Sequence, residues 1–255
     1  MNTLKIILIA FALSIITACG GGGSATSQGS ISGIATKGPM SNATVTAYAI
    51  SNGQMGTQIA TTTTAANGNF TMTIGSYAGP VMLQVSGGTY TDEATGNIMN
   101  MAPGDVMTAV MPTVTASAAI SGIQVTPVTA MAQTMAQHMT GGMTDANIAT
   151  ANTAMGSYFT VSDILHIQPM NPLVAGSGPG ASQDARNYGM VLAAMSQYAQ
   201  TKGMSSSSAM VTALMNDASD GIMDGKAGSN AVQMGGMAGG TPLPRRTGTT
   251  TSTLT

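Results

Sequence analysis

The stretch "VSGGTYTDEATG", residues 85–96, decides how the N-terminal half of this chain is read. It holds the chain's sole glutamate, Glu93, directly after Asp92, and glycines stand on either side of the pair. Adjacent residues of a strand point to opposite faces, so two neighbouring carboxylates share a site only where the chain turns. Gly87, Gly88 and Gly96 supply such a turn. The stretch therefore reads as a corner of a β-structure, and spacing assigns its carboxylates no partners. Asp92, Glu93 and nearby Tyr90 are its candidate ion or partner contacts.

Working outward, short alternating runs flank this corner. "ATVTAYAI" (residues 43–50) is rich in β-branched residues. "NFTMTI" (69–74) places Phe70, Met72 and Ile74 on one face and Thr71 and Thr73 on the other. "VMLQVS" (81–86) shows the pattern less cleanly, and "SNGQ", "ANGN" and "GP" punctuate the runs. Alternation with Asn-Gly turns at this spacing predicts an antiparallel β-sandwich over residues 31–115.

From Thr126 the period changes to that of a helix. Thr126 is set as an N-cap with Pro127 at the first helical position. Residues 144–159 align Ile148, Ala151, Met155 and Phe159 on one stripe, and residues 182–203 align Tyr188, Leu192, Met195 and Ala199. Residues 206–221 repeat the plan with Met210, Leu214 and Ala218. The fold class expected is α+β, an N-terminal sandwich followed by a small all-helical domain over 124–234. The Gly-, Thr- and Pro-rich tail, 235–255, is expected to be disordered.

Composition narrows the function. Lys plus Arg is 7 and Asp plus Glu is 9 in 255 residues, so no basic face for nucleic acid is expected. Charged residues are 6% of the chain, against ~25% in ordinary domains, which leaves few titratable groups for catalysis. There is no G-x-S-x-G elbow, no phosphate loop, and only two histidines, His138 and His166. His166 reads as a packed helix residue. The chain is expected to be non-enzymatic.

The first residues carry a different message. Lys5 precedes an apolar run, "IILIAFALSII" (6–16), too short to span a bilayer and shaped like a secretory signal. It ends in "ITACG", with Cys19 the one cysteine of the chain. This resembles the lipobox of bacterial lipoproteins. The resemblance implies a signal peptide over 1–18, cleavage after Ala18, and diacylglycerol with a further acyl chain on Cys19. These covalent lipids are the only cofactor expected, and the membrane the first partner. Gly20 after the cysteine implies the outer membrane, facing the periplasm or the cell surface. "GGGGSATSQGS" reads as a flexible tether over 19–30.

"SGIATKGPMSNATVTAYAI", "TTTTAANGNFTMTI" and "GPVMLQVSGGTYTDEATG" together resemble bacterial lipoproteins carrying a carboxypeptidase-regulatory-like (transthyretin-like) domain. The helical half, with "DARNYGMVLAAMSQYA" and "DASDGIMDG", is similar to the helical segment that often comes after that domain in the same lipoproteins. The resemblance covers about residues 31–228 and implies a prealbumin-like sandwich used as a binding or spacer module, with an envelope protein or a glycan as its candidate partner. It brings no functional residues with it. Tyr48, Tyr77 and Tyr90 are the aromatics a glycan-binding reading would need.

Two metal readings remain. Met131, Met135, Met139 and Met143 recur every four residues with His138 among them. Thioethers plus imidazole suit Cu(I) or oxidant handling, whereas the plainer reading is Met as a flexible core filler. Asp217, Asp220 and Asp224 cluster in "NDASDGIMDGKAG". Counted from Asp220, a calcium loop would find Ile222 at position 3 and Ala231 at position 12, two ligands short, so a helix end and a turn are favoured.

Overall fold

The computed structural model describes residues 28–204 and 206–232. The expected signal peptide, Cys19, most of the tether and the tail 235–255 lie outside the described residues.

The first described strand, β1 (Gly29–Ala35), begins within the last residues assigned to the tether. Next come β2 (Thr44–Ser51), β3 (Gln54–Thr63), β4 (Asn69–Gly75) and β5 (Gly79–Ser86). A small hairpin, β6 (Thr89–Thr91) with β7 (Ile98–Asn100), interrupts the series before β8 (Val106–Val114) and β9 (Ala119–Val125). The helices are α1 (Pro127–His138), α2 (Asp145–Phe159), α3 (Gln183–Thr201) and α4 (Ser208–Ala218), and a minimal pair, β10 (Lys226–Ala227) and β11 (Asn230–Ala231), closes the described chain.

Two sheets face each other. One has the order β3-β2-β5-β8, antiparallel throughout. The other has the order β4-β1-β9, in which β1 runs antiparallel to β4 but parallel to β9. The architecture is thus α+β with largely antiparallel sheets. The parallel β1–β9 pair departs from the wholly antiparallel sandwich expected, and strand structure runs on past residue 115 to Val125.

Burial explains the layering. β4 alternates, with Phe70, Met72 and Ile74 buried and the threonines between them exposed. They pack with Ile31 and Ile123 of their own sheet and with Val45, Ala47, Leu83, Val85 and Met107 of the other. β2 and β5 are buried on both faces. Their second face places Ile50 and Met82, with Val110 of β8, in one core with the helices. Each large side chain so buried contributes ~1.5–3 kcal/mol. The molecule has three layers: the three-stranded sheet, the four-stranded sheet, and the helices. The expected helical domain has no core independent of the sheet.

Local signals place the elements. Asn52 and Gly53 both take positive φ, 53° and 73°, as a type I′ hairpin turn between β2 and β3 requires. This turn abuts the α1–α2 connection, where the Met143 N–H donates to the Gly53 carbonyl at 2.8 Å. α1 opens with Thr126 as N-cap and Pro127 behind it; the Thr126 hydroxyl accepts from the Thr129 N–H, and the Thr129 hydroxyl accepts from the Thr126 N–H. α3 buries Tyr188, Leu192, Met195 and Ala199, and α4 buries Met210, Leu214 and Ala218.

Candidate functional site

The corner at Asp92–Glu93 sits between β6 and β7. The Asp92 N–H donates to the Asn97 carbonyl at 2.9 Å, and Gly96 at φ 70° lets the chain reverse. Asp92 Oδ1 accepts from the Ala94 and Thr95 N–H groups and the Thr95 hydroxyl, each at 3.1 Å. Such a side-chain bond to the following backbone is what makes Asp a turn former.

Glu93 points the other way and is buried. Its Oε2 lies 3.1 Å from Lys37 Nζ, and the two side chains are 2% and 1% exposed. The Ser196 hydroxyl of α3 donates to the same oxygen at 2.6 Å, Lys37 also donates to the Ser196 hydroxyl, and the Gly38 N–H donates to Oε1 at 2.6 Å. Lys37 Nζ stands 5.4 Å from the centroid of the Tyr90 ring. Gly38 makes this possible: its φ is 60°, and a Cβ there would fall 2.0 Å from the Thr91 carbonyl oxygen. A buried ion pair is tolerated only with its remaining hydrogen-bonding capacity satisfied, and here serine, backbone N–H and ring face satisfy it.

The network continues into α4. The Ser207 hydroxyl donates to Asp92 Oδ2 at 2.6 Å and lies 3.0 Å from the Tyr90 hydroxyl, which lies 3.3 Å from that of Ser206. Ser208 donates to Asp105 Oδ2 at 2.5 Å, and Thr212 donates to Asp105 Oδ1 at 3.1 Å. Burial alone would raise the Asp92 pKa; the Ser207 hydroxyl, the Lys37 charge and the Thr95 donors outweigh it and hold the carboxyl below the usual range.

The expectation that Asp92 and Glu93 have no partners is corrected: Lys37, Ser196 and Ser207 come from 56, 103 and 115 residues away. A signal was present. Lys37 is the only Lys or Arg between residues 6 and 185, and Glu93 is the only glutamate. A lone cation among the six acidic residues of that span invites pairing, although its sequence position does not choose Glu93 over the aspartates.

The other candidate residues do not converge with this corner. Met131, Met135 and Met143 are buried in the helical core. His138 is exposed at the end of α1, its Nδ1 2.8 Å from the Thr134 carbonyl, and Met139 is the C-cap. The Met143 sulfur accepts from Gln133 Nε2 at 3.6 Å. Asp217 is buried, and its Oδ1 accepts the N–H groups of Asp224, Gly225 and Lys226 at 2.7–3.1 Å. Burial pushes its pKa up to about 6, with the Asp224 charge adding to the rise and the three N–H donors opposing it. Asp220 accepts from the Ile222 and Gly228 N–H groups. Asp217 and Asp220 thus tie the turn after α4, whereas Asp224 contributes only its backbone N–H and keeps a buried Oδ1 with no hydrogen-bond partner among the described residues. Among the described residues no group of three or more His, Cys, Asp or Glu is arranged to hold a metal ion.

His166 is exposed rather than packed in a helix; its Nδ1 lies 2.8 Å from Asp163 Oδ2. Tyr77 donates to the Pro80 carbonyl at 2.7 Å, Tyr48 packs partly against the helical core, and the Tyr90 ring is 1% exposed.

Beside the corner, on the solvent side, runs a cleft of about 430 Å³ lined by Pro39, Asn67, Thr89, Thr91, Ile98 and Leu173 among others. It continues into a small recess reaching Glu93, Gln168 and Leu192, and Pro39, Asn67 and Asn171 border both.

No protein-family model matches the chain, and no curated protein matches it. Among solved structures, a 9R-lipoxygenase from Cyanothece PCC8801 aligns with a TM-score of 0.25 and 12% identity, over 39% of this chain and 16% of that one. A likeness at that level carries no argument about fold or activity. Among the described residues no helix is long and apolar enough to cross a membrane.

Proposed function

We propose that this is a non-enzymatic, lipid-anchored protein of the cell envelope, held at the outer membrane by acyl chains on Cys19. Its sandwich, with the helices laid on it, serves as a binding or spacer module. The observation that carries the reading is the position of the single cysteine, directly after the short apolar run and the small residues that processing of a lipoprotein needs. One acyl chain gives only marginal membrane binding and several give a stable anchor, at ~0.8 kcal/mol per buried CH₂. The disposition of the carboxylates supports a structural use of the corner: Glu93, Asp92, Asp105 and Asp217 are each taken up by hydrogen bonds within the fold.

The test is labelling of producing cells with radioactive palmitate, followed by fractionation. The wild-type chain is expected to carry label and to sediment with membranes. Cys19→Ala is expected to lose the label and either remain unprocessed or appear in the soluble fraction. A variant that stays labelled, or that is processed and sediments like wild type, overturns the anchor.

A further inference from the structure

We infer that the cleft between residues 39–41, the β6–β7 hairpin and residues 169–173 binds an extended, uncharged peptide. An apolar side chain of that peptide sits between Ile98 and Leu173, and its backbone carbonyls meet the amide groups of Asn67 and Asn171. The inference deepens the binding-module reading above and rests on it.

Three observations carry it. First, exposed apolar residues gather here. Of the five large hydrophobic residues exposed among the described residues, Ile98 at 75% and Leu173 at 41% line this cleft, and Val174 adjoins Leu173. A volume of about 430 Å³ falls in the range of ligand sites, roughly 300–1,000 Å³.

Second, its polar side chains are neutral, and two of them, Asn67 and Asn171, offer amide donors. Asn67 Oδ1 accepts from the Asn69 N–H at 3.2 Å, and Asn171 Oδ1 accepts from the Leu173 N–H at 3.0 Å. Both carboxamide NH₂ groups are thereby turned to be donors without a partner among the described residues. No charged side chain lines the cleft, and the one carboxylate of the recess, Glu93, is already satisfied. A charged ligand would lose hydration with nothing in return. A sugar ring would seek an exposed aromatic face, and the Tyr90 ring is closed over by Lys37 and the serines. A peptide backbone offers carbonyls at a strand's repeat together with an apolar side chain.

Third, the walls are preset. On one side Gly38 lies against the Thr91 carbonyl. The opposite wall is pinned to α3 by the Met170 N–H, which donates to the Ala185 carbonyl at 2.9 Å. Gly189 admits that contact, because a Cβ there would stand 2.0 Å from the Met170 carbonyl oxygen. Little ordering entropy remains to be lost on binding. The cleft also lies past the C-terminal end of β1, roughly 20 Å of extended chain from Gly29.

The experiment uses the full chain in detergent micelles with ¹³C-labelled Ile and Leu methyl groups. The probes are an end-blocked octapeptide pool built from Ala, Val, Leu, Ser, Thr and Asn, the same pool with alternating Asp and Lys, and maltoheptaose. Saturable shifts of the Ile98 and Leu173 methyl signals are expected with the neutral pool alone. Ile98→Asp and Leu173→Asp, both at exposed positions, should keep the wild-type melting temperature and weaken binding at least tenfold. No shift at millimolar neutral peptide, a response to maltoheptaose instead, or undiminished binding by the variants overturns the inference. Palmitate labelling that persists while no peptide binds leaves the anchor standing and removes only this site. Peptide binding without labelling does the reverse.

Discussion

Glu93 and Lys37 show what a single pair of charges does in a chain with few of them. Removing one partner of a buried, hydrogen-bonded ion pair leaves the other uncompensated and costs ~3–5 kcal/mol. Lys37→Met and Glu93→Leu are each expected to lose stability on that scale in urea titrations, and the double variant to recover most of it. Recovery fails if the pair is a dispensable surface contact. The aspartates respond to pH with opposite signs. Asp217, pushed up to about 6, binds its proton more tightly folded than unfolded, so its contribution favours the fold at low pH and fades as pH rises from about 4 through 6. Asp217→Asn keeps the oxygen that accepts three N–H groups and should flatten that slope. Asp92, held low, contributes above the usual carboxylate pKa and loses its contribution as pH falls through its folded value. Ser207→Ala, which removes one cause of that lowering, should move the loss to higher pH in acid titrations followed by circular dichroism. The residues of the corner were legible in sequence, as was its turn. Of their partners only Lys37 left a signal; Ser196 and Ser207 did not, because they lie on or beside helices whose placement depends on the tertiary fold.

At the scale of elements, α1 depends on its cap. Thr126 closes the capping box and its hydroxyl also lies 2.6 Å from the buried Tyr188 hydroxyl. Loss of such a cap costs ~0.5–2 kcal/mol, and here a tyrosine loses a partner as well. Thr126→Ala should therefore fall at or above the upper end of that range, and Tyr188→Phe, which still leaves the box intact, should cost less; thermal melts of the two variants compare them. The cap was readable because Thr-Pro before a periodic run is a local signal. β4 was readable because one of its faces meets water. β3 and β9 were not. β3 is exposed along nearly its whole length, so no face is marked by apolar residues. β9 buries only its last three residues and carries Gly122 at φ 78° where its pairing with β1 shifts register.

At the scale of the molecule, sheet and helices share a core, so they should unfold together. Ile50, Met82 and Val110 sit among residues of all four helices, and the Lys37–Glu93–Ser196 cluster ties the hairpin to α3. Tyrosine fluorescence and far-ultraviolet circular dichroism are expected to give coincident denaturation curves, and residues 28–125 alone to show no cooperative transition. Two separated transitions would show that the layers fold as independent units. Periodicity is local, so it located the change from strands to helices within a few residues of Thr126. It did not disclose that the two parts interlock; the mark of it was the continuous apolar run Val81–Leu83 in β5, where a strand buried on both faces loses its alternation.

The parallel pairing of β1 with β9 sets an order in time. Gly33 of the first strand aligns with Ile123, and β1 is the middle strand of its sheet. During synthesis β1 can zip to β4 early, yet its other edge stays open until residues 119–125 exist. Closing a long loop must come before the contacts that reward it, so such pairings form slowly. The half-finished sheet presents an uncapped, uncharged strand edge meanwhile. Refolding should therefore be slow for a chain of this length and increasingly prone to aggregation as concentration rises.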